Sequence, residues 1–197
     1  MSPSPLGIFG GIFDPVHNGH LSVAALAIEY FKLQKLIVVP SGLPPHKDDT
    51  VYAAAQHRLN MLEIALKSLN KAYVWDGELE RDGFSYTVDT LAALQQQYGS
   101  RQFYFLIGSD NLSQICSWKN YQKIVQMVTF CVASRPGFDT EIPPELSKAD
   151  IKLFPSPEWG LSSSAVRSFF EQGYSCKYLI PDEVLIYIRR NKLYATY

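Results

Sequence analysis

Short apolar runs alternate with helical periodicity along the whole chain, and this alternation limits the fold more than any other feature. The runs are Leu6–Phe9, Leu36–Val39, Tyr73–Trp75, Phe103–Ile107, Val128–Ala133 and Ile151–Phe154. Between them, Leu21–Phe31, Ala53–Leu69, Val88–Tyr98 and Asn111–Gln126 place apolar residues at helical spacing. In the second of these the stripe is Ala55, Leu59, Leu62, Ala65, Leu66 and Leu69. Strands that alternate with helices predict a parallel α/β sheet covered on both faces. Ligands of such sheets sit at the carboxyl ends of the strands. With 197 residues, 47% of them apolar and 19% charged, the chain is read as one domain, 1–197, that can bury a substantial core. Arg135–Glu145, with three prolines, reads as a surface connection.

The first run opens the stretch Gly-Ile-Phe-Gly-Gly-Ile-Phe-Asp-Pro-Val-His-Asn-Gly-His, residues 7–20. Gly10 and Gly11 are expected to let the backbone approach a ligand and take positive φ. Asp14-Pro15 should turn. His17 and His20 then stand at i and i+3 on one side of a helix start, ahead of the stripe Leu21, Ala24, Ala25, Ile28 and Phe31. A helix start carries unpaired N–H groups and the positive end of the macrodipole, so it attracts phosphate. Two imidazoles there add donors beside the same anion.

Four further segments are candidates. Pro40-Ser-Gly-Leu-Pro-Pro-His46-Lys47 follows the second strand, and Lys47 can either neutralise a phosphate or be a solvated lysine. In Ser85-Tyr86-Thr87, Ser85 or Thr87 can cap the helix that follows, or the helix start can receive a carboxylate. After the fourth strand, Asp110 can cap a helix or accept from ribose hydroxyls, and Trp118 can fill core or stack on a flat ring. In Leu161-Ser162-Ser163-Ser164-Ala-Val-Arg167, three hydroxyls precede a helix with Val166, Phe169 and Phe170 on one side. These serines suit capping or an anion site, and Arg167 can hold two phosphate oxygens in a fork.

Net charge is −1 and the pI near 6.4, which argues against nucleic acid bound mainly by charge. Cys116, Cys131 and Cys176 are an odd number without CxxC spacing, read as free thiols in a reducing compartment. No apolar run reaches membrane-spanning length, and the first residues lack a signal-peptide pattern, so a cytoplasmic protein without a membrane partner is expected. Neither G-x-x-x-x-G-K-[ST] nor a helix-opening G-x-G-x-x-G is present, so a nucleotide must be held by something else.

Gly10-Gly11-Ile12-Phe13-Asp14-Pro15-x-His17-x-Gly19-His20 resembles the GGTFDPxHxGH loop of the nucleotidylyltransferase superfamily, with Ile12 where Thr is usual. Residues 161–167 resemble its second motif, ISSTxIR, with Leu161, Ser164 and Val166 as mild departures. Pro44-Pro45-His46-Lys47, Ser85-Tyr86-Thr87, Gly108-x-Asp110, Trp118 and the tail Tyr178-Leu-Ile-Pro-Asp-Glu-Val-Leu-x-Tyr187-Ile are similar to bacterial nicotinate-nucleotide adenylyltransferases. That resemblance implies a doubly wound, Rossmann-like parallel sheet with helices on both faces and a small helical C-terminal part. It implies ATP and nicotinate mononucleotide as partners, with Mg²⁺ held mainly by ATP phosphates and water rather than by a protein metal site. It implies catalytic roles for His17, His20 and Arg167. Gly10, Gly11, His17, His20, Asp110, Ser162, Ser163 and Arg167 would bind ATP. Phe13, Lys47, Tyr86, Thr87 and Trp118 would bind the mononucleotide.

Alternatives stay open at this point. The acceptor can be nicotinamide mononucleotide or phosphopantetheine, although the phosphopantetheine branch typically lacks the Ser-Tyr-Thr and Trp118 neighbourhood. Asp14-x-x-His17-x-x-His20 also has metal-ligand spacing, which would mean a hydrolase. A nucleotide-binding module without catalysis is the third class. A homo-oligomer is allowed by everything in the sequence.

Overall fold

Each of the six apolar runs becomes a strand: β1 (Leu6–Gly11), β2 (Lys35–Pro40), β3 (Ala72–Val74), β4 (Phe103–Gly108), β5 (Val128–Ser134) and β6 (Ile151–Pro155). The computed structural model describes residues 5–43, 53–99, 101–134, 141–157 and 160–194. Among them the strands form one sheet in the order β3-β2-β1-β4-β5-β6, every neighbouring pair parallel. Ile8 in β1 lies opposite Ile37 on one side and Phe105 on the other.

The continuous apolar runs follow from burial on both faces. Successive side chains of a strand point to opposite sides. Leu36 and Val38 therefore join one core with Met61 and Leu62 of α2 (Ala55–Leu66), after α1 (Asn18–Tyr30) has contributed Ala24, Ala27 and Ile28. Ile37 and Val39 join the other core with Val88, Leu91 and Leu94 of α3 (Thr87–Tyr98). The doubly wound architecture is thus written residue by residue into β2. The C-terminal part is helical. Leu112 of α4 (Ser109–Leu112) and Ile124 of α5 (Tyr121–Met127) pack on the α3 side. Val166 of α6 (Ser163–Glu171) and Val184 and Ile188 of α7 (Asp182–Arg190) join the α1–α2 side. The Tyr187 hydroxyl clasps α7 to α2, 2.8 Å from both His57 Nδ1 and Asn60 Nδ2.

Four local expectations are corrected. Asn111–Gln126 is not one helix. It breaks into α4, a 3₁₀ turn at Ile115–Ser117, and α5. Trp118 is extended there (φ −72°, ψ 144°) and Asn120 is left-handed (φ 54°), a conformation asparagine tolerates. The buried face of α2 runs through Arg58, Met61, Leu62, Ala65 and Leu66, with Ala55 exposed. Neither Ser85 nor Thr87 caps α3. Tyr86 is its N-cap residue, without a side-chain bond. Gly10 and Gly11 stay within β1, and the left-handed residue of the loop is Phe13 (φ 53°). The 135–140 part of the predicted surface connection lies outside the described residues.

Candidate active site

From β1 the chain steps outward to β2 and β3, then crosses back to β4, so the winding reverses between β1 and β4. Side-by-side strands whose connections depart in opposite directions leave a crevice at their carboxyl ends. A cleft of about 810 Å³ opens there, floored by Gly10, Gly11 and Gly108. A Cβ on Gly10 would meet only the Phe105 ring, at 3.9 Å, so packing within the protein does not demand glycine there. What the missing side chain leaves is a bare strand end facing the cleft.

On one side, His17 is the N-cap of α1 and His20 its third residue. Each ring closes the other's backbone. His20 N–H donates to His17 Nδ1 (3.4 Å), and His17 N–H donates to His20 Nδ1 (3.2 Å). This is a capping box with imidazoles in place of the usual hydroxyl and carboxylate. The rings stack with centroids 3.7 Å apart, and Phe13 packs its ring against His20 at 5.0 Å. Burial lowers the His17 pKa to about 4. Burial, then repulsion from His17, holds that of His20 well below its ordinary value. Both rings are therefore neutral at pH 7. Since each Nδ1 accepts a hydrogen bond, the hydrogen-bond network assigns the remaining proton of each ring to Nε2. The pair presents neutral donors, not bases.

The second serine motif lies against the same loop. Ser162 is the N-cap of α6, its Oγ accepting from Ala165 N–H at 3.1 Å. Ser163 Oγ donates to Pro15 O at 3.0 Å, and Arg167 Nη1 donates to Asp14 O at 2.7 Å. Segments almost 150 residues apart in sequence are thus stitched together, and Leu161, Ser162, Ser163, Ser164 and Arg167 line the same cleft.

The far end is lined by Ser41, Glu78, Ser85, Thr87 and Trp118. Glu78 is buried and accepts from Thr90 Oγ1 (2.6 Å) and Gly42 N–H (3.4 Å), while Arg81 Nη2 donates to the same threonine oxygen (2.7 Å). A Cβ on Gly42 would lie 2.4 Å from Glu78 O, so this approach needs glycine. Ser85 Oγ is buried with no hydrogen-bond partner among the described residues. The Trp118 and Phe105 rings form a T-shaped pair with centroids 6.0 Å apart.

The cytidylyltransferase-like family matches residues 8–169. A probable nicotinate-nucleotide adenylyltransferase of Bacillus licheniformis is 39% identical over 191 residues, covering 97% of this chain and 98% of the relative. One of Desulfitobacterium hafniense is 38% identical over 199 residues, covering 98% and 96%. The chain belongs to the cytidylyltransferase-like family, and within it to the nicotinate-nucleotide adenylyltransferases. A Plasmodium falciparum nicotinic acid mononucleotide adenylyltransferase complexed with APC shares the fold, with a TM-score of 0.78 at 24% identity and 98% coverage of each chain. The same enzyme complexed with NaAD gives 0.76 at 25% identity, again covering 98% of each chain.

Of the residues the sequence singled out, the fold brings Gly10, Gly11, Phe13, His17, His20, Thr87, Trp118, Ser162, Ser163 and Arg167 to this one cleft. Tyr86 is not among its lining residues. The Tyr86 ring sits under Lys119 Nζ at 3.9 Å and beside Phe84. Asp110 is the second residue of α4, whose N-cap position is Gly108. Lys47 and its neighbour His46 lie outside the described residues. Ile12, the departure from the family loop, offers its backbone instead of a hydroxyl: its carbonyl accepts from Arg58 Nη1 at 2.9 Å. The metal-site reading of Asp14, His17 and His20 fails on geometry. Both Nδ1 atoms are occupied by backbone donors, and the Asp14 carboxylate turns toward Tyr194 and Arg167. Among the described residues no group of three or more His, Cys, Asp or Glu is arranged to hold a metal.

Sequence reasoning missed Arg58, Glu78 and Tyr194. Arg58 is 4% exposed and donates to Ser41 O (2.7 Å) and Ala53 O (3.2 Å) as well as Ile12 O, tying β1's loop to β2's. Its signal was a charge in phase with Met61, Leu62 and Ala65 on a helix.

Proposed function

We propose that this protein transfers the adenylyl group of ATP to nicotinate mononucleotide, giving nicotinate adenine dinucleotide and pyrophosphate for NAD biosynthesis. The observation that carries this reading is the direct bonding of Ser163 and Arg167 to the Pro15 and Asp14 carbonyls, which puts both phosphate-type motifs on one cleft.

The reaction is a single displacement. An oxygen of the mononucleotide phosphate forms a bond to the α-phosphorus of ATP, and the bond from that phosphorus to the β-bridging oxygen breaks. The electron pair leaves with pyrophosphate. The attacking oxygen is already anionic near neutral pH, since a phosphomonoester's second pKa lies near 6. No general base is required, in keeping with histidines that offer N–H rather than a lone pair. His17 and His20 donate from Nε2 to the α-phosphate, where charge redistributes in the transition state. Ser162, Ser163, Arg167 and the first N–H groups of α6 hold the β- and γ-phosphates. Gly10 and Gly11 let the nucleotide lie against the end of β1. Thr87 and the backbone beside Trp118 receive the pyridine carboxylate; for Lys47 and Asp110 the roles, phosphate and adenosine binding, rest on the family resemblance alone.

Beside His17, His20 and residues 162–167 the cleft offers imidazole N–H, hydroxyl, guanidinium and backbone N–H groups, which suit phosphate oxygens. Its two lining carboxylates accept from the protein itself, Asp14 from Tyr194 and Ala53 N–H and Glu78 from Thr90 and Gly42 N–H. A Mg²⁺ ion that enters with ATP would therefore rely on phosphate oxygens and water. It would supply charge neutralisation between the phosphates.

The test is pyrophosphate release with ATP and a mixture of nicotinate and nicotinamide mononucleotides. Preferential consumption of the nicotinate form supports the reading. Exclusive use of the nicotinamide form would move the acceptor, and no release with either would overturn adenylyl transfer to a pyridine nucleotide.

A further inference from the structure

Asp14 is 1% exposed and lies at the centre of the motif loop, yet the transfer chemistry makes no use of its carboxylate. Three separate parts of the chain converge on it. Tyr194, near the C-terminus, donates its hydroxyl to Oδ1 at 2.5 Å. Ala53 N–H, just before α2, donates to the same oxygen at 3.2 Å. Arg167 Nη1 lies 3.6 Å from Oδ2 while donating to the Asp14 carbonyl, and Oδ2 is buried without a hydrogen-bond partner among the described residues.

Tyr194 is built into this arrangement twice. Its ring stacks on Phe170, at 5.9 Å and 26°, and Phe170 lies three residues beyond Arg167 on α6. Its backbone is left-handed (φ 62°), a conformation uncommon for an aromatic residue. Burial and the Asp14 hydrogen bond both keep the hydroxyl protonated, so it is a permanent donor.

We infer that Tyr194 and Asp14 are positioning residues for ATP: the C-terminal segment, through the Tyr194–Asp14 hydrogen bond and the Tyr194–Phe170 stack, fixes the Arg167 guanidinium at the wall of the cleft. The inference rests on the ATP site proposed above and assigns the end of the chain a part in it. Without the tyrosine hydroxyl, the carboxylate keeps one donor on Oδ1 and loses its fixed place, so the charge beside Arg167 no longer holds the guanidinium in the orientation that meets phosphate.

The test compares Tyr194→Phe with Tyr187→Phe. Tyr187 ties α7 to α2 by a hydroxyl of similar engagement but does not line the cleft. ATP affinity is measured by calorimetry without acceptor, and KM for each substrate by pyrophosphate release. Tyr194→Phe is expected to weaken ATP binding and raise KM for ATP about five- to tenfold, leaving KM for the mononucleotide within about twofold. Tyr187→Phe lowers the melting temperature and leaves both KM values in place. Should Tyr194→Phe fail to fold, Asp14→Asn answers the question. It keeps the Oδ1 acceptor, removes the charge facing Arg167, and is expected to show the same ATP-selective loss. Unchanged ATP affinity, or equal loss for both substrates in step with melting temperature, would overturn the inference. If wild type binds ATP but adenylates no pyridine nucleotide, the acceptor assignment fails while the calorimetry still tests Tyr194.

Discussion

The neutral imidazole pair makes a prediction about acid stability. The His17 pKa is about 4 in the fold, against 6.5 for a free imidazole. Between those values the unfolded chain binds a proton that the folded chain refuses. Stability from this residue is fully present above pH 6.5 and is lost as pH falls toward 4. Integrating from pH 7 to pH 5 gives a loss of about 2 kcal/mol, and about 3 kcal/mol by pH 4. The comparison protein is His17→Asn, because asparagine caps a helix start well and does not titrate. Every carboxylate remains in both proteins, and removing His17 also lifts its repulsion from His20, which widens the difference in the same direction.

Urea unfolding at pH 7 and pH 5 reads this directly. With a slope of about 2 kcal/mol per molar, the wild-type midpoint should fall by about 1 M more than that of His17→Asn. Nitrogen-detected histidine spectra of the folded protein should place the proton of both rings on Nε2 throughout that range. Equal acid sensitivity of the two proteins, or a ring that carries its proton on Nδ1, would refute the reciprocal cap and the donor role built on it.

Other perturbations read other parts of the site. His20→Ala should lower kcat by about a hundredfold or more while leaving substrate affinities nearly unchanged, because its contact strengthens in the transition state; pre-steady-state and steady-state pyrophosphate release separate the two. Arg58→Met strips a buried charged donor from the carbonyls of Ile12, Ser41 and Ala53 and should cost about 3 kcal/mol in urea unfolding; a loss below about 1 kcal/mol would show that those carbonyls find other partners. Glu78→Gln replaces one of two accepting oxygens with a donor facing either Thr90 or Gly42 N–H, so KM for the mononucleotide should rise several-fold and KM for ATP should not; a reversed pattern would detach Glu78 from the acceptor end.

The sheet was legible because residues buried on both faces leave continuous apolar runs, and each of the six became a strand with ends shifted by one or two residues. The break at Asn120 was not legible. A left-handed asparagine there depends on Trp118 leaving the helix, which tertiary packing decides. Spacing placed His17 and His20 at one helix start, but only geometry shows that they cap each other and so fix their tautomers. Ser85 and Thr87 looked like caps because hydroxyls usually are, yet Tyr86 takes the cap position and both hydroxyl residues border the cleft instead. Arg58 and Tyr194 make contacts to the motif loop across 46 and 180 residues, and no local pattern encodes a partner at that distance.

The central claim is that imidazoles from one end of the chain and serines with a guanidinium from the other hold one triphosphate between them. A crystal structure with a non-hydrolysable ATP analogue measures this directly. The account predicts the α-phosphate at His17 and His20 Nε2, with the β- and γ-phosphates at Ser162, Ser163 and Arg167. A triphosphate that touches only one of these segments, or that lies at the Glu78 end of the cleft, would contradict it.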